Sequence, residues 1–152
     1  MTTNGQGKST DGVAAPPTTE TAEKMSWKKQ TLASSKAALP VGPYSQGIRV
    51  GNLVFVAGEK GIDPRTGKVV SGGITAETRQ TMENIKAILA EAGATLDDAV
   101  AATVHMTDLA NFGAMNEVYA EYFHEAPPGR TTVQVAALPG DAHIEITVIA
   151  AV

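Results

Sequence analysis

The chain has 152 residues, 12 Lys and Arg against 16 Asp and Glu, a formal net charge of -4 and no cysteine. This length suits one ordinary domain with a tail, and the charge balance speaks against a nucleic-acid groove, which needs clustered Lys and Arg. Without cysteine there are no disulfides, no thiolate nucleophile and no Cys-held zinc or iron–sulfur site.

Residues 1–24 contain no Leu, Ile, Phe, Trp or Tyr and are rich in Thr, Gly and Pro. Such a segment buries too little apolar surface to offset its ordering entropy, so residues 1–26 are expected to be a disordered tail and 27–152 the folded domain. No apolar run is long enough to span a bilayer, and the N-terminus lacks the basic and apolar regions of a secretory signal; a soluble, cytoplasmic protein is expected.

"WKKQTLAS" reads as a weak first strand, and "SQGIRVGNLVFVAG" as two strands around Gly51-Asn52, a dipeptide suited to a two-residue hairpin turn. "DPRTG" (63–67) is a turn. Residues 75–92 predict a helix capped by Thr75 and ended by Gly93, with Met82, Ile85, Leu89 and Ala92 at helical spacing. "DAVAATVHMTDL" predicts a strand with Val100, Ala102, Val104 and Met106 on one face. A second helix is expected over about 111–125, presenting Phe112, Met115, Tyr119, Tyr122 and Phe123 and terminated by Pro127. Two further strands, "RTTVQVAAL" and "HIEITVIAAV", flank Pro139-Gly140. Hairpins together with strand–helix–strand crossovers imply a mixed sheet, an α+β domain with helices on one face.

Two charged residues stand in these last strands. Arg130 heads an otherwise β-rich run with no acidic neighbour, and Glu145 interrupts an apolar one; each needs a counter-charge or hydrogen bonds if buried. The two could pair across the sheet as a plain salt bridge, or Arg130 could be reserved for a ligand anion. Tyr44, in "VGPYSQG", sits in a Gly-Pro loop and not on a core face. His105, His124 and His143 show no paired ligand spacing, so no metal is expected. No GxSxG elbow, P-loop or dinucleotide fingerprint is present.

The ordered series "VGPYSQGIRVGNLVFVAG", "IDPRTGKVV", "ETRQTMENIKAILAEAGATLDDAV", "TDLANFGAMNEVYAEYF" and "PPGRTTVQVAALPGDAHIEITVIA" resembles the Rid family of reactive intermediate deaminases, also called the YjgF family, from about Lys29 to Val152. The resemblance implies a chorismate-mutase-like α+β subunit in a homotrimer with ligand clefts between subunits. It implies hydrolysis of 2-imino and enamine acids, of the 2-iminobutanoate and 2-iminopropanoate type, to 2-oxo acids and ammonia, with no cofactor. Arg130 matches the family arginine that grips the substrate carboxylate, and Glu145 the acid that positions a water. Tyr44 matches the tyrosine of the GPYSQ loop, and Asn116 the asparagine of the second helix. Gly58 falls where a backbone amide approaches the ligand, and Thr132 stands where some members carry Cys.

The chain departs from the family pattern with "AGEKG" (Ala57 to Gly61) for "SGQIP", Gly129 for Ala and Thr147 for a second Glu. These changes border the cleft, so the substrate could instead be larger or more polar, such as an aminomuconate. A trimer that binds 2-oxo acids without turnover is the reading from a different class. No nucleic-acid or membrane partner is expected.

Overall fold

The computed structural model describes residues 27–152, so the expected tail at 1–26 lies outside the described residues. In chain order the strands are β1 (Gln30–Leu32), β2 (Gly47–Val50), β3 (Leu53–Lys60), β4 (Ile62–Asp63), β5 (Lys68–Val69), β6 (Ala99–Met106), β7 (Gly129–Gln134) and β8 (Ile144–Ala151). The helices are α1 (Gly73–Glu91) and α2 (Phe112–Ala120). Six strands form one sheet in the order β1-β2-β3-β8-β6-β7, while β4 and β5 make a separate ribbon. All neighbours in the large sheet are antiparallel except β6 and β7, which are parallel. The mixed α+β architecture is therefore present, with the two helices against one face.

Strand periodicity explains the layering. Along β8, Ile144, Ile146, Val148 and Ala150 are buried while Glu145, Thr147, Ile149 and Ala151 alternate to the other side. The buried set meets Met82, Ile85, Ile88 and Leu89 of α1 and Met115 and Tyr119 of α2 in a single core. Each such aliphatic side chain contributes roughly 1.5–3 kcal/mol when fully buried. Among the described residues the opposite face carries no helix, and it exposes Phe55 and Val133.

Several local expectations change. Thr75 does not cap α1: the helix begins two residues earlier behind Gly72, whose φ of 115° serves the entry turn, and no side chain caps it. Gly93 does follow its end, with φ 71°. In the β2–β3 hairpin Gly51 takes the positive φ (59°), whereas Asn52 is not among the positive-φ residues. Val100 is 52 % exposed instead of sharing the face of Ala102, because the β6–β8 register slips between Ala99 and Ala101. Helix α2 is shorter than its apolar pattern. A 3-10 turn capped by the Asp108 carboxylate precedes it, and it ends at Ala120, well before Pro127, with Tyr122 and Phe123 beyond its end.

The loop between β1 and β2 is held by one amide. Gln46 is 2 % exposed; its Oε1 accepts from the Ser34 N–H at 2.6 Å, and its Nε2 donates to the Ser34 and Ala38 carbonyls at 3.1 and 2.7 Å. Its own carbonyl accepts from Ala57 N–H at 2.9 Å, which ties the loop carrying Tyr44 to β3 just ahead of Gly58. Gln46→Leu leaves these buried groups unmatched and is expected to cost roughly 2–3 kcal/mol in urea-unfolding measurements; an unchanged midpoint would show that the loop supports itself.

Candidate active site

Glu145 sits at the centre of a row crossing three strands. Its register partners are Lys60 on β3 and His105 on β6, so all three side chains stand on the face without helices. Lys60 Nζ is 3.4 Å from Glu145 Oε2, and His105 Nδ1 is 3.9 Å from Oε1. Gly58 lies directly against the carboxylate: a Cβ added there would stand 2.6 Å from Cδ and 2.7 Å from Oε1 of Glu145. No other residue type leaves that oxygen its place. The segment behind the row is pinned to α1 by Asn84, fully buried, whose Nδ2 donates to the Lys60 and Ile62 carbonyls at 3.1 and 2.9 Å.

Glu59 neighbours this row from β3 and is 5 % exposed. Burial, assisted by the charge of Glu145 and opposed by Lys60, pushes its carboxyl up from 4.5 to about 7. Between those two values the folded protein keeps a proton that the unfolded chain has released, so the stability contribution of this site falls as pH rises through that window. Glu59→Gln is expected to be about 2–3 kcal/mol more stable than wild type near pH 8 and no different near pH 4. Denaturant curves at the two pH values check this, and an equal difference at both would show that the carboxyl does not titrate there.

Arg130 lies on the other side of the sheet. It pairs with Ala102 on β6, which is buried on the helix-covered face. Its guanidinium carbon is 4.7 Å from the Tyr119 ring centroid and 5.6 Å from that of Phe112, a cation–π seat built by α2. Tyr119 is in turn braced by Phe123, the ring centroids 4.7 Å apart. Phe112, Asn116 and Tyr119 share one stripe of α2, so Asn116 stands on the flank that holds the guanidinium. Among the described residues no carboxylate lies within salt-bridge distance of Arg130. Two buried hydroxyls in the same region, Tyr119 OH and Thr132 Oγ1, have no hydrogen-bond partner. Burial raises the Tyr119 phenol above its usual range, with the charge of Arg130 pulling the other way.

The cross-strand pairing of Arg130 with Glu145 is thus not realised. β6 intervenes between their strands, Arg130 stands level with Val148 instead of Glu145, and the two side chains project to opposite faces. Consecutive strands joined by a turn normally neighbour each other; here the connection through Pro139–Asp141 skips one position. Tyr44 is 44 % exposed, and its hydroxyl accepts from Val41 N–H at 3.2 Å.

Some features were not visible in one dimension. The aromatic seat arises from α2 meeting β7, and the Lys60–Glu145–His105 row from sheet register; neither has a local spacing signal, although the Lys in "AGEKG" marks the row as unusual. Glu77, 2 % exposed, accepts from the His143 backbone N–H at 2.8 Å and lies 2.6 Å from His143 Nδ1, strapping α1 to the start of the Glu145 strand. His124 is exposed. Among the described residues, no group of three or more His, Asp or Glu is placed to hold a metal ion. Nor is any described helix long and apolar enough to cross a membrane.

Residues 34–152 match the family described as Endoribonuclease L-PSP. The chain belongs to that family. This L-PSP chain is 53 % identical over 122 residues to a RutC family protein of Pyrococcus abyssi, covering 80 % of this chain and 96 % of the relative. It is 38 % identical to the mouse 2-iminobutanoate/2-iminopropanoate deaminase, over 80 % of this chain and 90 % of that one. Among solved structures, RidA from a Psychrobacter species superposes with a TM-score of 0.79 at 43 % identity, covering 81 % and 99 % of the two chains. Escherichia coli TdcF with bound serine gives 0.78 at 36 %, covering 81 % and 98 %. Rid, YjgF, RutC and L-PSP are thus names within one family, and the resemblance read from the motifs is confirmed at that level.

Proposed function

We propose that this protein hydrolyses 2-imino acids and their enamine tautomers to 2-oxo acids and ammonia. The observation that carries the reading is Arg130: a guanidinium oriented by two aromatic rings, with no carboxylate partner among the described residues and with unmatched hydroxyls of Tyr119 and Thr132 in its surroundings. A planar fork held this way suits a carboxylate taken bidentately. In this reading Asn116, Thr132 and the backbone at Gly58 contact the substrate, Tyr44 lines the cleft, and Glu145 holds the water.

Because Arg130 and Glu145 face opposite sides of one chain's sheet, they act together only across two copies. The apolar residues on the helix-free face, Phe55 and Val133 among them, supply the surface for association, and a closed homotrimer gives three equivalent clefts. The chemistry is then modest. The arginine fixes the carboxylate, a water held by Glu145 attacks the C=N carbon, the π pair moves to nitrogen, both water protons pass in turn through Glu145 to that nitrogen, and the C–N bond breaks to release ammonia as the carbonyl forms. One placed carboxylate contributes about 10²- to 10⁴-fold by proton transfer, enough for a substrate that already hydrolyses in water. The naming of the mouse and chloroplast relatives as deaminases supports this reading.

The test generates 2-iminobutanoate with a threonine dehydratase and traps residual imine with semicarbazide. Catalytic amounts of the protein are expected to suppress the adduct. Saturable binding of 2-oxobutanoate with no suppression would replace this reading by that of a non-catalytic sensor, and suppression confined to an aminomuconate would change the substrate class.

A further inference from the structure

The two oxygens of Glu145 are not equivalent. Lys60 lies 3.4 Å from Oε2, whereas Oε1 faces both the Cβ-free side of Gly58 and His105 Nδ1 at 3.9 Å. His105 Nδ1 is buried and has no hydrogen-bond partner, although the rest of the side chain reaches solvent. A buried ring nitrogen left unmatched is costly. A separation of 3.9 Å is too long for a direct hydrogen bond, but a water about 2.8 Å from both atoms would see them at roughly a right angle, close to its own H–O–H angle.

We propose that His105, accepting at Nδ1, is the second acceptor for the hydrolytic water, and that Lys60 is the positioning residue that turns Glu145 Oε1 toward it. The inference rests on the hydrolytic reading of the site. With one hydrogen donated to Glu145 and the other to His105, the water presents its lone pairs to the C=N carbon. As the C–O bond forms, the proton on the Glu145 side passes to the carboxylate and then to the nitrogen; the remaining hydroxyl proton follows by the same route, and the nitrogen leaves as ammonia with the C–N electron pair while the carbonyl forms. In this role Nδ1 of His105 accepts and does not donate. The charged groups around it are Glu145 from β8, with Lys60 and Glu59 beyond it on β3; on β7 its register partner is the apolar Val133.

His105→Phe removes the acceptor, while His105→Asn retains an oxygen in place of Nδ1. With wild type active on 2-iminobutanoate, His105→Phe is expected to lower kcat about 10- to 100-fold with KM nearly unchanged, and His105→Asn to recover most of the loss. A His105→Phe protein with wild-type kcat overturns this inference while leaving the deaminase reading intact, as does His105→Asn no better than His105→Phe. Absence of turnover by wild type overturns both.

Discussion

Arg130→Ala is expected to lower kcat/KM for 2-iminobutanoate about 10³-fold, and Arg130→Lys to recover only a small part of it. A bidentate, charge-assisted contact with a carboxylate in a partly desolvated cleft is worth several kcal/mol, and each 1.4 kcal/mol is a factor of about ten. Lysine keeps the charge but loses the planar fork and the stacking on Tyr119 and Phe112. Arg130 lies on the edge strand β7 and makes no ion pair among the described residues, so the fold should survive both changes. Competition between the variant and semicarbazide for the imine measures the effect; Arg130→Ala within about threefold of wild type would remove the arginine from catalysis.

The second large effect is expected at Glu145. Glu145→Gln keeps the shape beside Gly58 but cannot take a proton, and kcat should fall about 10²- to 10³-fold. It also leaves the nearly buried Lys60 ammonium facing a neutral amide, at a cost of roughly 1–3 kcal/mol in stability. Its most informative use is in mixture. Neither Arg130→Ala nor Glu145→Gln chains should be active alone, but refolded together in equal amounts they should regain activity in about a quarter of the clefts, those taking each residue from the intact copy. A mixture as inactive as its components would show that both residues must come from one chain.

The elements were largely legible because strands and helices announce themselves through periods of 2 and 3.6. The apolar positions of α1 and the alternation around Glu145 were read without tertiary information. What failed depended on long-range choices. Thr75 has the chemistry of a cap, yet Gly72 can adopt the φ of 115° at the turn into the helix, which therefore begins earlier. Tyr122 and Phe123 continue a helical pattern in a segment where the chain has already turned. The Arg130–Glu145 relation was misjudged because strand order is a property of the whole sheet: β8 inserts between β3 and β6, leaving β7 at the rim. Family motifs identified Arg130, Glu145, Gly58, Asn116, Thr132 and Tyr44 as candidates, but only the coordinates divide them between two faces.

The ring platform beneath Arg130 has a consequence for how the protein would work from cycle to cycle. A quadrupole orients a cation without neutralising it, so the fork keeps its full charge and no resident counter-ion has to be evicted before an acid can enter. On the proposed reading, recognition is paid for once, at folding, and each new molecule meets a receptor that is already aimed.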